Sequence, residues 1–347
     1  MSCEKKTPDI IDLVSDLMKY ETAGDPMTNL RWTRKTIGKI TKEINATGIN
    51  VGKTTVANIL KDLDYSLKSN VKKISNGGKK ISPENQEKRD TQYNYIKNMI
   101  SEFESEEIPM ISCDTKKKEV VGNFKNNGTR LKKLADLVND HDFLSYALGK
   151  AAPYGIYDII NNNGHVYVGK HPLVGKKILS GDTPEFAVEC IEKWWITYGL
   201  TKCKGKKKLL IFVDAGGSNG YRNSMWKEKL QEVLCNKHGL EVTVCHYPPG
   251  ASKWNLIEHR LFSEISKNWK GVPLRDYETI LKYIMTTTTS TGLTVDATIV
   301  DKIYEKGLKA TPEQMAQLNI ERHETNPNWN YTIRPYGIKA SVKKSVA

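Results

Sequence analysis

Leu209-Leu-Ile-Phe-Val-Asp214-Ala-Gly-Gly-Ser-Asn-Gly220 is the stretch on which the fold turns. Five apolar residues run without a polar interruption, the pattern of a central strand buried on both faces. The run stops on a carboxylate, and Gly216, Gly217 and Gly220 loosen the chain at once. An acid is thus left at the end of a buried strand, beside a loop with few bulky side chains. Working outward, Pro109-Met-Ile-Ser-Cys-Asp114 repeats the device: an apolar stretch that ends on Asp. Downstream, Glu241–His246 alternates like a further strand, and Pro248-Pro-Gly250 stops it. Ser252 suits the N-cap of the next helix. On that helix Trp254, Ile257, Leu261 and Ile265 form an apolar stripe, with Asn255, Glu258 and Phe262 beside it at spacings of three and four. Glu258 can therefore lean over the sheet end where Asp114 and Asp214 finish.

The segments between complete an α/β pattern. Val166–Val168 and Val120–Phe124 read as short strands beside the first one. Thr183 to Tyr198 and Met225 to Leu234 read as helices. Taken singly, an Asp at a strand end is a turn residue or helix cap, and Glu258 is an ordinary solvated helix residue. Three carboxylates brought to one sheet end suit a hard cation. Such a site can hold two Mg²⁺, with Mn²⁺ as a substitute, that clamp the attacking and leaving oxygens of a phosphodiester.

The element order resembles the RNase H-like fold of DDE transposases and retroviral integrases: a mixed central sheet flanked by helices. The resemblance is closer than fold level. Asp114-Thr-Lys-Lys-Lys-Glu-Val-Val-Gly-Asn-Phe-Lys, Ala152-Pro-Tyr-Gly-Ile-Tyr-Asp, Asp214-Ala-Gly-Gly-Ser-Asn-Gly-Tyr-Arg and His246-Tyr-Pro-Pro-Gly-Ala-Ser-Lys-Trp-Asn-Leu-Ile-Glu-His-Arg-Leu-Phe look like bacterial insertion-sequence transposases of the ISAzo type. It runs from about Asp25 to Pro335. It implies that Asp114, Asp214 and Glu258 are the catalytic carboxylates. It also implies binding to transposon ends, metal-dependent strand cleavage and strand transfer, and a homo-oligomer in the active complex. The family usually carries a further helix-turn-helix ahead of the position of Thr7; this sequence lacks it, so a truncated copy or an alternative start is expected.

Charge supports a polyanionic partner. The 347 residues hold 53 Lys+Arg against 40 Asp+Glu, a net charge of +13. Twelve of the basic residues and only three acids fall in 27–80, so most of the excess sits near the N-terminus. There Ile37, Ile40 and Ile44 give one helical face and, after Gly48, Val56, Ile59, Leu60 and Leu63 give a second. Two short helices about a glycine turn predict a helix-turn-helix that binds double-stranded DNA. Its second helix would present Lys53, Thr54, Thr55, Asn58 and Lys61, types that reach phosphates and base edges. Arg31 and Arg34 would grip the backbone nearby, and Lys116, Lys117 and Lys253 would hold phosphates near the metals. Gly52-Lys-Thr-Thr resembles the tail of a Walker A loop, but Thr47 stands where that loop needs glycine, which excludes the ATPase reading.

The six cysteines include no Cys-x-x-Cys pair, so no zinc site is expected, and several fit reduced core positions. His246 and His259 flank the third acidic block, facing DNA or packed in the core. No signal-like start and no apolar run near 18 residues occurs, so a cytoplasmic, nucleoid-associated protein without a membrane partner is expected. The expected layout is a helical DNA-binding region at 1–80, a linker and connecting helix at 81–105 with the helix at Gln86–Phe103, the catalytic domain at 106–295, and a C-terminal extension at 296–347. In that extension Thr311-Pro-Glu-Gln-Met-Ala starts like a capped helix, and Asn326–Pro335 is an extended arm that packs on the core or on DNA. A competing reading is a domesticated, transposase-derived DNA-binding protein that no longer cuts; a minor one is an RNase H-like nuclease without transposition.

Overall fold

The apolar run at 208–213 becomes an interior strand of a ten-stranded mixed sheet. The structure, a computed structural model, describes residues 9–20, 22–24, 31–33, 35–65, 82–174, 177–178, 182–251 and 254–337. Within them the chain forms two compact units, Met1–Lys73 and Ile74–Ala347. Arg34, Ser252, Lys253 and the expected glycine linker at 77–78 lie outside the described residues.

In the first unit the elements are α1 (Asp9–Tyr20), β1 (Thr22–Gly24), β2 (Arg31–Thr33), α2 (Ile37–Ala46) and α3 (Lys53–Asp62). Thr36 caps α2 by accepting a hydrogen bond from the Lys39 amide. Gly48 turns the chain at φ +87°, which glycine adopts without strain. The Asn45 side chain accepts from the Val51 amide at 2.9 Å and fixes that turn. Ile40 and Ile44 of α2 meet Val56, Ile59 and Leu60 of α3, and Ile10 and Val14 of the unexpected α1 complete the small core.

The second unit opens with α4 (Pro83–Ser105), which starts three residues before the expected helix because Ser82 caps it and Pro83 suits its first turn. Then follow β3 (Met110–Thr115), β4 (Glu119–Val121), β5 (Gly149–Asp158), β6 (Asn163–Val174), β7 (Lys177–Ile178), α5 (Pro184–Trp194), α6 (Leu200–Lys202), β8 (Lys208–Val213), α7 (Ser224–Lys229), β9 (Glu241–His246), α8 (Ser263–Asn268), α9 (Tyr277–Met285), β10 (Thr294–Val300), α10 (Pro312–Gln317), β11 (Ile320–Arg322) and β12 (Asn330–Ile333). The main order across the sheet is β10-β6-β5-β3-β8-β9-β12-β11. β3, β8 and β9 run parallel, whereas β5 is antiparallel to both β3 and β6. The central five strands thus stand in the order 3-2-1-4-5, the RNase H-like arrangement.

The expected neighbours of the first strand need correcting. β5, not read as a strand from its composition, lies between β3 and β6. The Val120–Phe124 strand is only Glu119–Val121, and it continues the line of β3 along β5. Pro153 stands where β3 gives way to β4, its carbonyl accepting from the Lys116 amide at 2.9 Å. A strand residue points its nitrogen and carbonyl to the same edge, so the missing N–H faces that gap and costs no ladder bond.

Side chains of β8 alternate between two cores, which is why its sequence shows no polar face. Leu209, Ile211 and Val213 meet Phe186, Ile191 and Trp194 of α5 and Trp226 of α7. Leu210 and Phe212 meet Ile96, Met99 and Phe103 of α4. The two helices after β6 and β8 are shorter than expected as α-helices, because each opens into a π turn, at Trp195–Gly199 and at Leu230–Asn236. The C-terminal arm packs on the core: β12 pairs antiparallel with β9, and Tyr331 and Ile333 are fully buried. The expected domain boundary at 295 falls inside β10, which pairs with β6. The capped helix at Thr311 is present as α10, with a reciprocal capping box between Thr311 and Gln314.

Candidate active site

Parallel pairing of β3 with β8 sets Cys113 opposite Val213. Asp114 and Asp214, one residue on, therefore lie side by side at the C-terminal ends of adjacent strands. The third acid comes from the face of the sheet that α4 also covers. There a helical run from Leu256 passes through a π turn, Glu258–Phe262, into α8. Its seat is made by glycines. A Cβ on Gly155 of β5 would lie 2.5 Å from Phe262 and 2.9 Å from Ile257, and one on Gly164 of β6 would lie 2.4 Å from Leu261. Bare backbone at both positions lets the helix settle close enough for Glu258 to approach the two aspartates.

Asn255 ties the group together. It is fully buried, and its Nδ2 donates to Asp114 Oδ2 at 3.1 Å and to Asp214 Oδ1 at 3.4 Å. Its own carbonyl accepts from Ser112 Oγ at 3.0 Å, which orients the amide. Asp114 Oδ1 also accepts from the Thr115 amide at 2.7 Å. The three carboxyl groups feel one another. Burial, then the charge of Asp214 and more weakly that of Glu258, pushes Asp114 up to about 8. Burial raises Asp214, opposed by the Asn255 hydrogen bond. Burial and then Asp214 raise Glu258, with Lys116 opposing. This is the signature of carboxylates gathered without enough positive charge.

The donor set is all oxygen, as Mg²⁺ or Mn²⁺ requires. Among the described residues, no three His, Cys, Asp or Glu side chains are already closed into a cage for an ion. The residues fit a divalent cation by chemistry and by charge.

Several expected contacts land elsewhere. Lys116 does not reach outward for phosphates: it is buried, 3.0 Å from Glu119 and 4.5 Å above the Trp269 ring. From there its charge also favours the ionised form of Glu258. Lys117 is exposed. His246 is a packing residue, with Nδ1 at 2.9 Å from the Trp329 carbonyl and Nε2 at 2.9 Å from that of Asn219. It fastens the glycine loop after Asp214, helped by Tyr154, whose hydroxyl donates to Asn219 Oδ1 at 3.1 Å. On α3, Lys53, Thr54, Asn58 and Lys61 are exposed and Thr55 is half-buried; Arg31 lies in β2. Asn255, Ser112 and Asp182, the last accepting from Thr115 Oγ1 at 2.8 Å, were not singled out as site residues. Only Asn255 left a signal, three positions before Glu258 on one helix face.

No helix among the described residues is long and apolar enough to cross a membrane. The five described cysteines are all free thiols. No curated protein matches the chain. Among solved structures, a Mos1 transposase paired-end complex with the left transposon end aligns at a TM-score of 0.41 and 10% identity, over 79% of this chain and 69% of that one. The pre-cleavage Mos1 transpososome aligns at 0.40 and 11%, with the same coverage. A Mos1 mariner paired-end complex with Mn aligns at 0.40 and 10%, again over 79% and 69%. Likeness of that size says nothing by itself about activity. The sequence family described as Rhodopirellula transposase DDE domain matches residues 13–335, nearly the whole chain, and this protein belongs to that DDE transposase family.

Proposed function

We propose that Asp114, Asp214 and Glu258 hold two Mg²⁺, replaceable by Mn²⁺, and that with them this DDE transposase cuts DNA at the ends of an insertion sequence and joins the freed 3′-OH to target DNA. The observation that carries the reading is the meeting of Asp114 and Asp214 at one sheet end, bridged by Asn255, with Glu258 in electrostatic reach. When bound, the ions supply positive charge at the attacking and leaving oxygens of the phosphodiester. Asp114 and Asp214 supply ligand oxygens from rigid strand ends, and Glu258 supplies its own from the helix seated on Gly155. Asn255 fixes the separation of the two aspartates, and buried Lys116 offsets part of the charge of Glu258. The half-buried setting of all three acids leaves one side open to substrate.

The unit Met1–Lys73 is the recognition module in this reading. Asn58 and Thr54 would face base edges, and Lys53, Lys61 and Thr55 would meet phosphates, the part the sequence also suggests for Arg31 and Arg34. Lys117, exposed two residues beyond Thr115, would contact the backbone beside the catalytic acids, the part the sequence also suggests for Lys253. Two copies acting together would bring two ends into one complex, and the work is done on the nucleoid.

The test uses duplex from the flanks of the coding region, with random duplex alongside. Wild-type protein should cut only with Mg²⁺ or Mn²⁺. Asp214→Asn should abolish cutting and leave DNA binding nearly intact, since it removes a ligand charge and no recognition surface. Cutting that survives Asp114→Asn, Asp214→Asn or Glu258→Gln would sink the assignment of that residue.

A further inference from the structure

On the side of the sheet that carries α5 and α7, the ends of β8 and β9 open into a groove of about 1250 Å³ that begins at Asp214. The glycine loop after Asp214 lines it, with Pro248–Gly250 and the first residues of α5 and α7. The far rim is residues 306–309, which follow β10 in the C-terminal extension. That rim is pinned at both ends. Tyr304 is buried and donates to Glu189 Oε2 at 2.8 Å, and the Ala310 amide donates to Ser224 Oγ at 3.1 Å.

The charge of the groove is one-sided. Lys118, Arg222, Lys306 and Lys309 line it, against Asp182 and Asp214. Lys118 is paired with Asp182 at 3.5 Å. Among the described residues, no acid lies within ion-pair distance of Arg222, Lys306 or Lys309. Arg222 is steadied over the Tyr221 ring at 5.1 Å, and its Nε donates to the Tyr221 hydroxyl at 2.9 Å. Three uncompensated cations along a concave wall concentrate anions. The volume exceeds the roughly 300–1,000 Å³ of a small-molecule pocket, and glycine, proline and cations line it rather than an apolar shell. A polyanion fits it better than a cofactor does.

We propose that this groove carries the phosphodiester backbone of the DNA strand presented to the catalytic acids, with Lys306, Lys309 and Arg222 as its phosphate contacts. The inference rests on the DNA-cutting function proposed above. It assigns the segment after β10 a direct part in holding substrate, distinct from recognition by the N-terminal helices.

The test is the full-length double variant Lys306→Ala/Lys309→Ala beside wild type. Both lysines are exposed, so unchanged thermal unfolding confirms the fold. KM for cutting should rise with kcat kept. The slope of log affinity against log salt should fall by roughly 1.4–1.8 units for two lost phosphate contacts. The charge-preserving pair Lys306→Arg/Lys309→Arg should restore both. In parallel, a photocrosslinker on Lys309→Cys, in protein whose other accessible cysteines are replaced, should label the scissile strand without divalent metal. Unchanged KM and salt slope, or no crosslink to that strand, would overturn the groove while leaving the catalytic reading intact. If wild type cuts no DNA at all, the catalytic reading fails, and the crosslink alone decides the groove.

Discussion

Gly155→Ala isolates the geometry that places the third acid. Gly155 pairs with Asp114 across the β3–β5 ladder, and its bare, buried backbone is covered by Phe262 and Ile257, the latter next to Glu258. Its φ is not positive, so alanine meets no backbone strain and the effect is purely steric. The new Cβ would stand 2.5 Å and 2.8 Å from the Phe262 ring and 2.9 Å from Ile257 Cδ1. Carbon atoms rest about 3.5–4.0 Å apart, so the Phe262 ring and Ile257 Cδ1 must give by about 1 Å, and because both are buried with no free space beside them the shift passes to the helix that carries them. Overpacking of this kind costs about 1–3 kcal/mol, a fall of several degrees in the unfolding midpoint of a unit this large. A misplacement of about 1 Å in a catalytic group can cost about 100-fold in rate. Cleavage kinetics on end-containing duplex should therefore fall by about two orders of magnitude, with DNA affinity unchanged. Adding Phe262→Leu removes the ring atoms that collide and should recover part of both losses. A Gly155→Ala protein that cuts at the wild-type rate would refute the close seat of the helix as the determinant of Glu258. So would a double variant that regains stability without regaining rate.

Asn255→Ala should leave Ser112 without its acceptor and the two aspartates without their shared donor; it should lower stability by about 1–3 kcal/mol and raise the Mg²⁺ concentration needed for half-maximal cutting, and an unchanged metal titration would dismiss the bridge. Burial lowers His165 and His171 from 6.5 to about 4, so the unfolded chain takes up protons first: the share of stability owed to these two histidines should be full above pH 6.5 and be lost toward pH 4, by up to about 1.4 kcal/mol per pH unit for each, while Asp114, raised to about 8, works in the opposite sense. Between pH 7.5 and 5 the urea midpoint of His165→Phe should shift differently from that of wild type, losing less stability on acidification, and identical shifts in the two proteins would contradict this. Lys53→Ala/Lys61→Ala should weaken binding to all duplexes and reduce the salt slope by about 0.9 per contact, whereas Asn58→Ala should blur the preference for end DNA; unaltered binding in both would remove α3 as the recognition element.

Much of the catalytic unit was legible because its two aspartates each end an apolar run, and such runs survive in sequence whatever packs on them. β5 was hidden for the opposite reason. Pro153 and Gly155 look like strand breakers, and only the fold shows that one faces a gap in the ladder and the other faces a helix. The π turns left no trace, since one extra residue per turn shifts the helical period without changing composition. Lys116 was misread because adjacency to Asp114 says where the backbone goes and not where a long side chain lies. Asn255 was visible beside Glu258, but its role depends on two strands that lie 141 and 41 residues away. β10 was missed although Thr294-Val-Asp-Ala-Thr-Ile alternates polar and apolar, with the apolar set the more buried.

The placement of β12 has a consequence for the order in which this protein can be made. β9 gains its outer partner only from residues 330–333, some 85 positions later in the chain. Gln92 of α4 donates both to the His246 carbonyl and to Asn330 Oδ1, at 2.9 Å and 2.7 Å, so one buried amide joins the beginning, middle and end of this unit. During synthesis, β9 stays an open edge while everything before it has already left the ribosome. An open edge of buried-type residues is a template for pairing with other chains. Messages that stop before codon 330 should therefore give aggregates rather than shortened enzymes. The catalytic sheet ends become stable only once residues 330–333 have been made.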